Sequence, residues 1–567
     1  MSNDNDWRDV FCGREAEIAA LEQSFQDVVT GHGPRLVLVL GDRGMGKTRL
    51  VQELYRRLKM RYDTANYWPD ASLFKGNNLR VAPDFADVQT GAHFAGFTAE
   101  ERAMTYLWWG FRLADPQDRN AARTDMAAHR RTLEPHLNNV FVARRLKDAG
   151  NELKAVGVEV GKSLGTKLIE LIPVFGPALG WLIEGGDKGT GALRAFGKQR
   201  RILKEHARTN LARMEQQAHT DILERTLSDL GAVLAPQQGS SSIPIIVFCD
   251  DAQFARTGAD EGALQLLHEL WLRAANADWP LLIIASHWAL DWAIDATAVA
   301  DSFAHRFAHS ASSPTFGKVL ELPREPALAR LVQAGLPLLA ECDIQTLLRK
   351  ADGNPQVLIE LVDLVRRSPA WRTDSEDLTV HGRAEIDAHS SDLTRLIVER
   401  LESSATPVDV RRAVALASMQ GMQFLCALTD AAAHALRLGP AFPGLKAAER
   451  PHRLVVGVER EVASFVQRAY CDAARALVGG QVGDPVVVSA ALLTATLVMM
   501  DDPRRWQELA LDEEVAALGV FVGLAEDAPD IAIRQRAGQA LLKLAARAVF
   551  ADQGPDYAVA AAFAALR

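Results

Sequence analysis

Short apolar runs without alternation give the first outline of the architecture. Residues 36–40 (Leu-Val-Leu-Val-Leu) and 243–249 (Ile-Pro-Ile-Ile-Val-Phe-Cys) have this form, as do 281–285 and, less purely, 316–321. A run of this length rich in Leu, Val and Ile predicts a strand buried on both faces. Helical spacing separates the runs. Ile18, Leu21 and Phe25 share one face; Leu50, Leu54 and Leu58 recur at fours over 48–60; Leu264, Leu267, Leu270 and Trp271 line one side of 262–275. Strands alternating with helices predict an α/β core.

Downstream the pattern becomes mainly helical. Residues 343–364 read as helices broken at Gly353-Asn354-Pro355, where proline suits the first position of the second helix. A polar linker covers 371–391, and further apolar-periodic stretches occupy 396–401 and 409–424. From 503 onward Ala537, Leu541, Leu544 and Ala548 keep helical spacing, which predicts two or three helices of a repeat-like stack.

One long segment interrupts this order. The conspicuous residues Lys47 and Asp250 lie 203 positions apart, more than two βα units of roughly 30 residues each account for. Residues 99–219 are therefore expected to be a mostly helical insertion, and a further strand is expected between 61 and 98. The insertion is read as opening with a helix containing Tyr106-Leu-Trp-Trp-Gly110 and closing with a basic helix (Lys198, Arg200, Arg201, Lys204, Arg208). Between them Gly157, Gly161 and Gly165 recur at fours, followed by an apolar stretch at 168–183 broken by Pro173 and Pro177. A helical hairpin packed on the core and a conditional self-assembly or membrane surface are both compatible with that pattern. A second phosphate loop at Gly161-Lys-Ser163 is not, because position 156 is Val.

Composition adds exclusions. The net charge of -9 argues against whole-protein attraction to nucleic acid. Five scattered cysteines without metal or disulfide spacing fit a reduced, cytoplasmic protein. No apolar run reaches the roughly 20 residues of a membrane span, and the first residues lack a signal-peptide core.

The candidate chemistry sits at the ends of two strands. After the strand at 36–40, Gly41, Gly46, Lys47 and Thr48 satisfy G-x-x-x-x-G-K-[ST]. Glycines at 41, 44 and 46 let the backbone amides of Asp42, Arg43, Gly44, Met45, Gly46 and the residues up to Arg49 fold around an anion. Lys47 is expected to face the β- and γ-phosphates of ATP or ADP and Thr48 to ligate Mg²⁺, with the positive end of the next helix aimed at them. At the end of the strand at 243–249, Asp250 is expected to hold Mg²⁺ through water and Asp251 to orient the water attacking the γ-phosphate.

The segment Phe11-Cys-Gly-Arg-Glu-Ala-Glu17, followed by a helix and this loop, resembles the STAND-class signal-transducing ATPases, relatives of the AAA+ proteins. The resemblance implies that Gly13 and Arg14 lie against adenine and ribose, that Ser286 occupies the sensor 1 position at the γ-phosphate, and that Pro355 touches the adenine. Asp250-Asp-Ala-Gln-Phe254 departs mildly from the family's D-D-x-Q-W, and Trp288 stands where many relatives place an arginine, which weakens the case for efficient hydrolysis. Gln467, in Phe465-Val466-Gln467, stands where relatives carry a histidine that touches the β-phosphate.

The implied fold is an α/β P-loop NTPase core (1–98 and 220–322) with the insertion. A helical lid (323–370), a winged-helix-like domain (388–484) and an α-helical repeat-like region (486–567) complete it. The implied function is an ATP/ADP-controlled switch, a slow regulatory ATPase in signalling, stress or bacterial defence. It is expected to self-associate or to meet a protein partner through the insertion and C-terminal helices. The competing readings are a DNA-binding AAA+ ATPase of initiator or loader type and a LuxR-type transcription regulator.

Overall fold

The computed structural model describes residues 7–62, 106–113, 223–235, 242–255, 261–325, 327–459, 462–500 and Leu524. Five parallel strands form the first layer: β1 (Arg35–Leu40), β2 (Leu107–Arg112), β3 (Ile245–Asp250), β4 (Leu281–His287) and β5 (Gly317–Glu321). Their order is β2-β3-β4-β1-β5, with Leu38 opposite Ala285 and Cys249 opposite the same residue on the other side. One strand thus separates the strand that leads into the phosphate loop from the strand that ends in Asp250.

The absence of alternation in these runs has a direct cause. Successive side chains point to opposite faces, and each face has its own apolar cluster. Leu36, Leu38, Val247, Ile283 and Trp109 face helices α3 (223–234), α4 (Glu261–Ala277) and α6 (Phe303–Ser312). Val37, Val39, Ile246, Ile284 and Trp108 face α1 (Glu15–Val29) and α2 (Lys47–Tyr62). Helix α5 (Ala289–Ala298) follows β4.

Tyr106-Leu-Trp-Trp-Gly110 corrects the sequence reading. It opens no helix: residues 107–112 are strand β2, paired with β3 from Leu107 opposite Ile245 to Arg112 opposite Asp250. Trp108 and Trp109 are both buried, on opposite faces of the sheet, and Trp108 meets Tyr55 of α2 edge-on at 5.2 Å. A five-residue apolar run is too short to reveal its period, and aromatic residues favour strands. The glycine series at 157, 161 and 165, the apolar stretch 168–183, the strand expected in 61–98 and the stack from 503 lie outside the described residues, apart from the buried Leu524.

The second layer is helical. It runs through α7 (Ala329–Gly335), α8 (Glu341–Ala351), α9 (Pro355–Arg367), α10 (Val380–Ala388), α11 (Leu393–Glu402) and α12 (Val408–Ser418). Then come β6 (Gln423–Leu425), α13 (Cys426–Ala435), α14 (Phe442–Glu449), β7 (Val455–Val456), β8 (Val462–Phe465), α15 (Arg468–Ala476) and α16 (Pro485–Met500). Strands β6, β8 and β7 pair antiparallel in that order. A single apolar cluster joins all of these helices and takes in Trp7 from the N-terminal segment. The break at 352–354 forms as read: Asp352 and Gly353 adopt positive φ (47° and 71°) and end α8. Asn354 then accepts from the amides of Gln356 and Val357 and starts α9, with Pro355 in its first turn.

Candidate functional site

The site forms at the C-terminal rim of β1, β3 and β4. Gly44 and Gly46 take φ of 83° and 85°, which only glycine adopts without strain, so the loop 41–46 closes tightly before α2. Lys47 is buried, and its Nζ donates to the carbonyls of Gly41 (2.8 Å) and Asp42 (3.1 Å). Burial lowers its pKa from the usual lysine value, while Asp251, Asp250 and Asp42 pull the other way. The ammonium is desolvated at the loop's floor, among carboxylates.

Those carboxylates are positioned through one hydroxyl. Ser286 Oγ donates to Asp250 Oδ1 (2.6 Å) and accepts from the Asp251 amide (2.9 Å). Thr48 Oγ1 lies 3.0 Å from Asp250 Oδ2. Asp251 sits at φ 57°, in the left-handed region, and Gln253 Nε2 donates to its Oδ1 (3.0 Å). Lys47, Thr48, Asp250, Asp251 and Ser286 are therefore brought together at one rim of the sheet. Met45 is buried beneath the loop, and Arg49 lies over the ring of Phe11 (5.9 Å).

A second part of the site lies where Gly13 and Arg14 cross the start of the helical layer. Both adopt left-handed backbone (φ 69° and 66°), and a Cβ on Gly13 would overlap the Glu325 carboxyl. Arg14 is buried; its Nε is 3.9 Å from Glu325 and its Nη1 3.4 Å from Glu17, while its Nη2 has no hydrogen-bond partner among the described residues. Beside it, burial and then Glu325 raise the Cys12 thiol pKa.

The helical layer closes over the loop. Asn354 Nδ2 donates to the Arg43 carbonyl (2.9 Å) and the Gln356 amide to the Gly44 carbonyl (3.3 Å). A Cβ on Gly44 would come within 2.7 Å of Asn354 Oδ1 and 2.9 Å of Gln356 Cβ. Pro355 is thereby set directly above the loop. Gln467 precedes α15 and donates to Gln356 Oε1 (2.9 Å); Arg43 pairs with Asp472 of α15 (2.5 Å). Asn354 had a signal in sequence, as a capping residue before a helical proline. Asp472, Gln356 and Glu325 had none, being separated from the loop by hundreds of residues.

These groups fit a nucleotide and a divalent cation. Loop amides, Lys47 and the α2 N-terminus suit phosphates, Thr48 and Asp250 supply hard oxygen ligands, and the buried Arg14 Nη2 beside Gly13 has a donor to spare. Comparison with known proteins agrees on class. Residues 10–284 match the family model described as AAA ATPase domain. The match takes in the phosphate loop and strands β1 to β3, and it agrees with an AAA-type P-loop ATPase domain in this part of the chain.

No curated protein sequence matches the chain. Among solved structures it is similar to the Aeropyrum pernix ORC1 protein in complex with DNA (13% identity, 86% of this chain and 94% of that one, TM-score 0.33). It is also similar to a Walker-type ATPase of Pyrococcus abyssi (15%, 82% and 95%, 0.26). A third is a STAND protein with a tetratricopeptide repeat sensor from Pyrococcus horikoshii (11%, 98% and 64%, 0.32). Overlap of this extent fixes neither a shared domain arrangement nor an activity.

Proposed function

We propose that the chain is a nucleotide-controlled switch of the STAND type, in which ADP keeps the helical layer against the ATPase core and ATP releases it for assembly or signalling. The carrying observation is the closure of the phosphate loop by α9 and α15, through Asn354, Gln356 and Asp472. A site covered from both the lid and the C-terminal unit is suited to reporting its occupant. In this reading 323–370 is the lid, and 388–484 a winged-helix-like domain, supported by the order helix, strand, two helices, strand, strand from α12 to β8. Of the expected insertion at 99–219, residues 107–112 go to the core as β2, and the rest is assigned to the insertion.

Lys47 and Arg43 hold phosphates, Thr48 and Asp250 hold Mg²⁺, and Gly13, Arg14 and Pro355 hold the base and ribose. Bound Mg²⁺ would neutralise charge on the phosphates; Asp251, fixed by Gln253 and Ser286, would accept a hydrogen bond from the attacking water and orient it. Trp288 packs on Phe254 at 5.5 Å rather than offering a cation, in keeping with slow, resetting hydrolysis. Moving such a switch from 1:99 to 99:1 takes about 5.5 kcal/mol of differential affinity.

The initiator-type reading requires the unit to enter DNA. α14, the helix that would serve, carries Lys446 and Glu449 as its charged residues, a poor surface for phosphates. Mass spectrometry of co-purified nucleotide, with light scattering in ADP and in ATP, tests the switch. Bound ADP and growth in ATP support it. Absence of nucleotide-dependent assembly together with salt-dependent DNA retention overturns it.

A further inference from the structure

One and a half turns of α15 touch three separate parts of the nucleotide site. Asp472 Oδ2 lies 2.5 Å from Arg43 Nη2 in the phosphate loop. The Arg468 guanidinium sits 4.9 Å above the ring of Phe254, in the turn after β3. Gln467 donates to Gln356 of α9, and the buried Tyr470 hydroxyl donates to Glu360 (2.7 Å). Arg43 is held twice, since its Nη1 also donates to Thr394 Oγ1 of α11 (3.3 Å). All of these are contacts of protein with protein.

We propose that α15 is a latch on the phosphate loop, held chiefly by Arg43 and Asp472. On this view closure persists without nucleotide and with ADP, and the γ-phosphate of ATP competes with Asp472 for Arg43. This rests on the switch reading and specifies its lock. Among the described residues the apolar cluster of the helical layer is distinct from the two sheet clusters, and these polar contacts cross between them. Arg43 and Asp472 are 33% and 32% exposed, a setting in which an ion pair contributes little and weakens with salt. That size suits a contact meant to release.

Tyr470, Ala473 and Ala474 of the same helix are buried in the cluster, so α15 leaves the loop together with α9 and α11. The Asp472 carboxylate also repels an incoming anion. The triphosphate, carrying more charge, loosens the latch, and the diphosphate leaves it closed.

The test is amide hydrogen exchange on the full chain stripped of nucleotide. The wild type is expected to protect 468–476 and 41–46. Asp472→Arg is expected to raise exchange in both segments about fivefold, in line with replacing a surface ion pair by repulsion. Adding Arg43→Asp to that variant restores protection, and Asp472→Asn gives a smaller rise with the fold unaltered. ATP added to the wild type loosens α15 more than ADP does. Protection that appears only on adding ADP overturns the latch and leaves the switch standing, with the nucleotide itself as the lock. Exchange that follows nucleotide but ignores charge reversal also removes the latch. Exchange indifferent to both removes latch and switch together.

Discussion

The rim of the sheet and the interior of the helical layer keep their charges in opposite ways. At the rim, Lys47, Asp250 and Asp251 are held by near neighbours: two loop carbonyls, Thr48, and Ser286 on the adjacent strand. In the helical layer, Arg400 lies 2.8 Å from Glu360 and 2.7 Å from Asp363, each under 5% exposed. Asp363 also meets Arg367 (2.7 Å) and Arg8 (2.5 Å) of the N-terminal segment, while Glu360 accepts from Gln356 and Tyr470. The guanidiniums, Arg400 foremost, hold Asp363 down to a pKa of about 2 despite burial. On the proposed function the rim charges are arranged for a ligand, and losing one costs function. The inner charges compensate each other, and losing one costs the fold.

The largest effect should therefore follow Arg400→Ala. It leaves two buried carboxylates short of a partner and is expected to cost about 3 kcal/mol, the low end for breaking a buried pair because Asp363 keeps Arg8 and Arg367. Urea unfolding of the full chain reads this out. A loss no larger than about 0.5 kcal/mol, typical of surface changes, would erase the contrast.

Lys47→Ala should do the reverse, removing a desolvated charge while leaving the stability of the free protein nearly unchanged. With Mg-ATP at a hundredfold excess over Kd, the wild type should gain about 2.7 kcal/mol and the variant almost nothing. Thermal shifts measure both. Equal gains would remove Lys47 from the phosphate site.

A titration sharpens the comparison further. His452 is buried near Arg367, Arg400, Arg8 and Asp363; burial first, then the guanidiniums of Arg367 and Arg400, push its pKa from 6.5 down to about 4. The unfolded chain then takes up a proton between these values that the folded chain refuses, so stability falls as pH drops from 6.5 towards 4. His452→Gln should flatten that stretch of the stability curve. Asp363 acts lower, its contribution fading from pH 3.8 to about 2. An unchanged slope in the His452 variant would move the titration elsewhere.

Asp251→Asn should have the smallest effect on stability. It preserves shape and the bond to Ser286, leaves Mg-ATP affinity unaltered and slows turnover by about a hundredfold or more, as loss of a positioned base does. Unaltered turnover here, with turnover abolished by Asp250→Asn, would reverse the two roles.

Sequence alone determined what is local. Lys47, Thr48, Asp250 and Ser286 were legible because a buried parallel strand must be apolar throughout and must end in a turn at the rim. Polar residues at such ends are few and carry their chemistry with them. The break at Gly353-Asn354-Pro355 was legible for a similar reason, since capping and proline geometry act within one turn of chain. Strand β2 escaped because its identity lay in pairing with Ile245–Asp250, more than a hundred positions away. The closure over the loop and the buried network depended on tertiary structure wholly. Arg43 and Asp472 are 429 residues apart, Arg8 and Asp363 355. No local pattern distinguishes a carboxylate that will be buried against a guanidinium from one left in water. Only packing the helices into one apolar cluster decided which charges were enclosed, and with which partners.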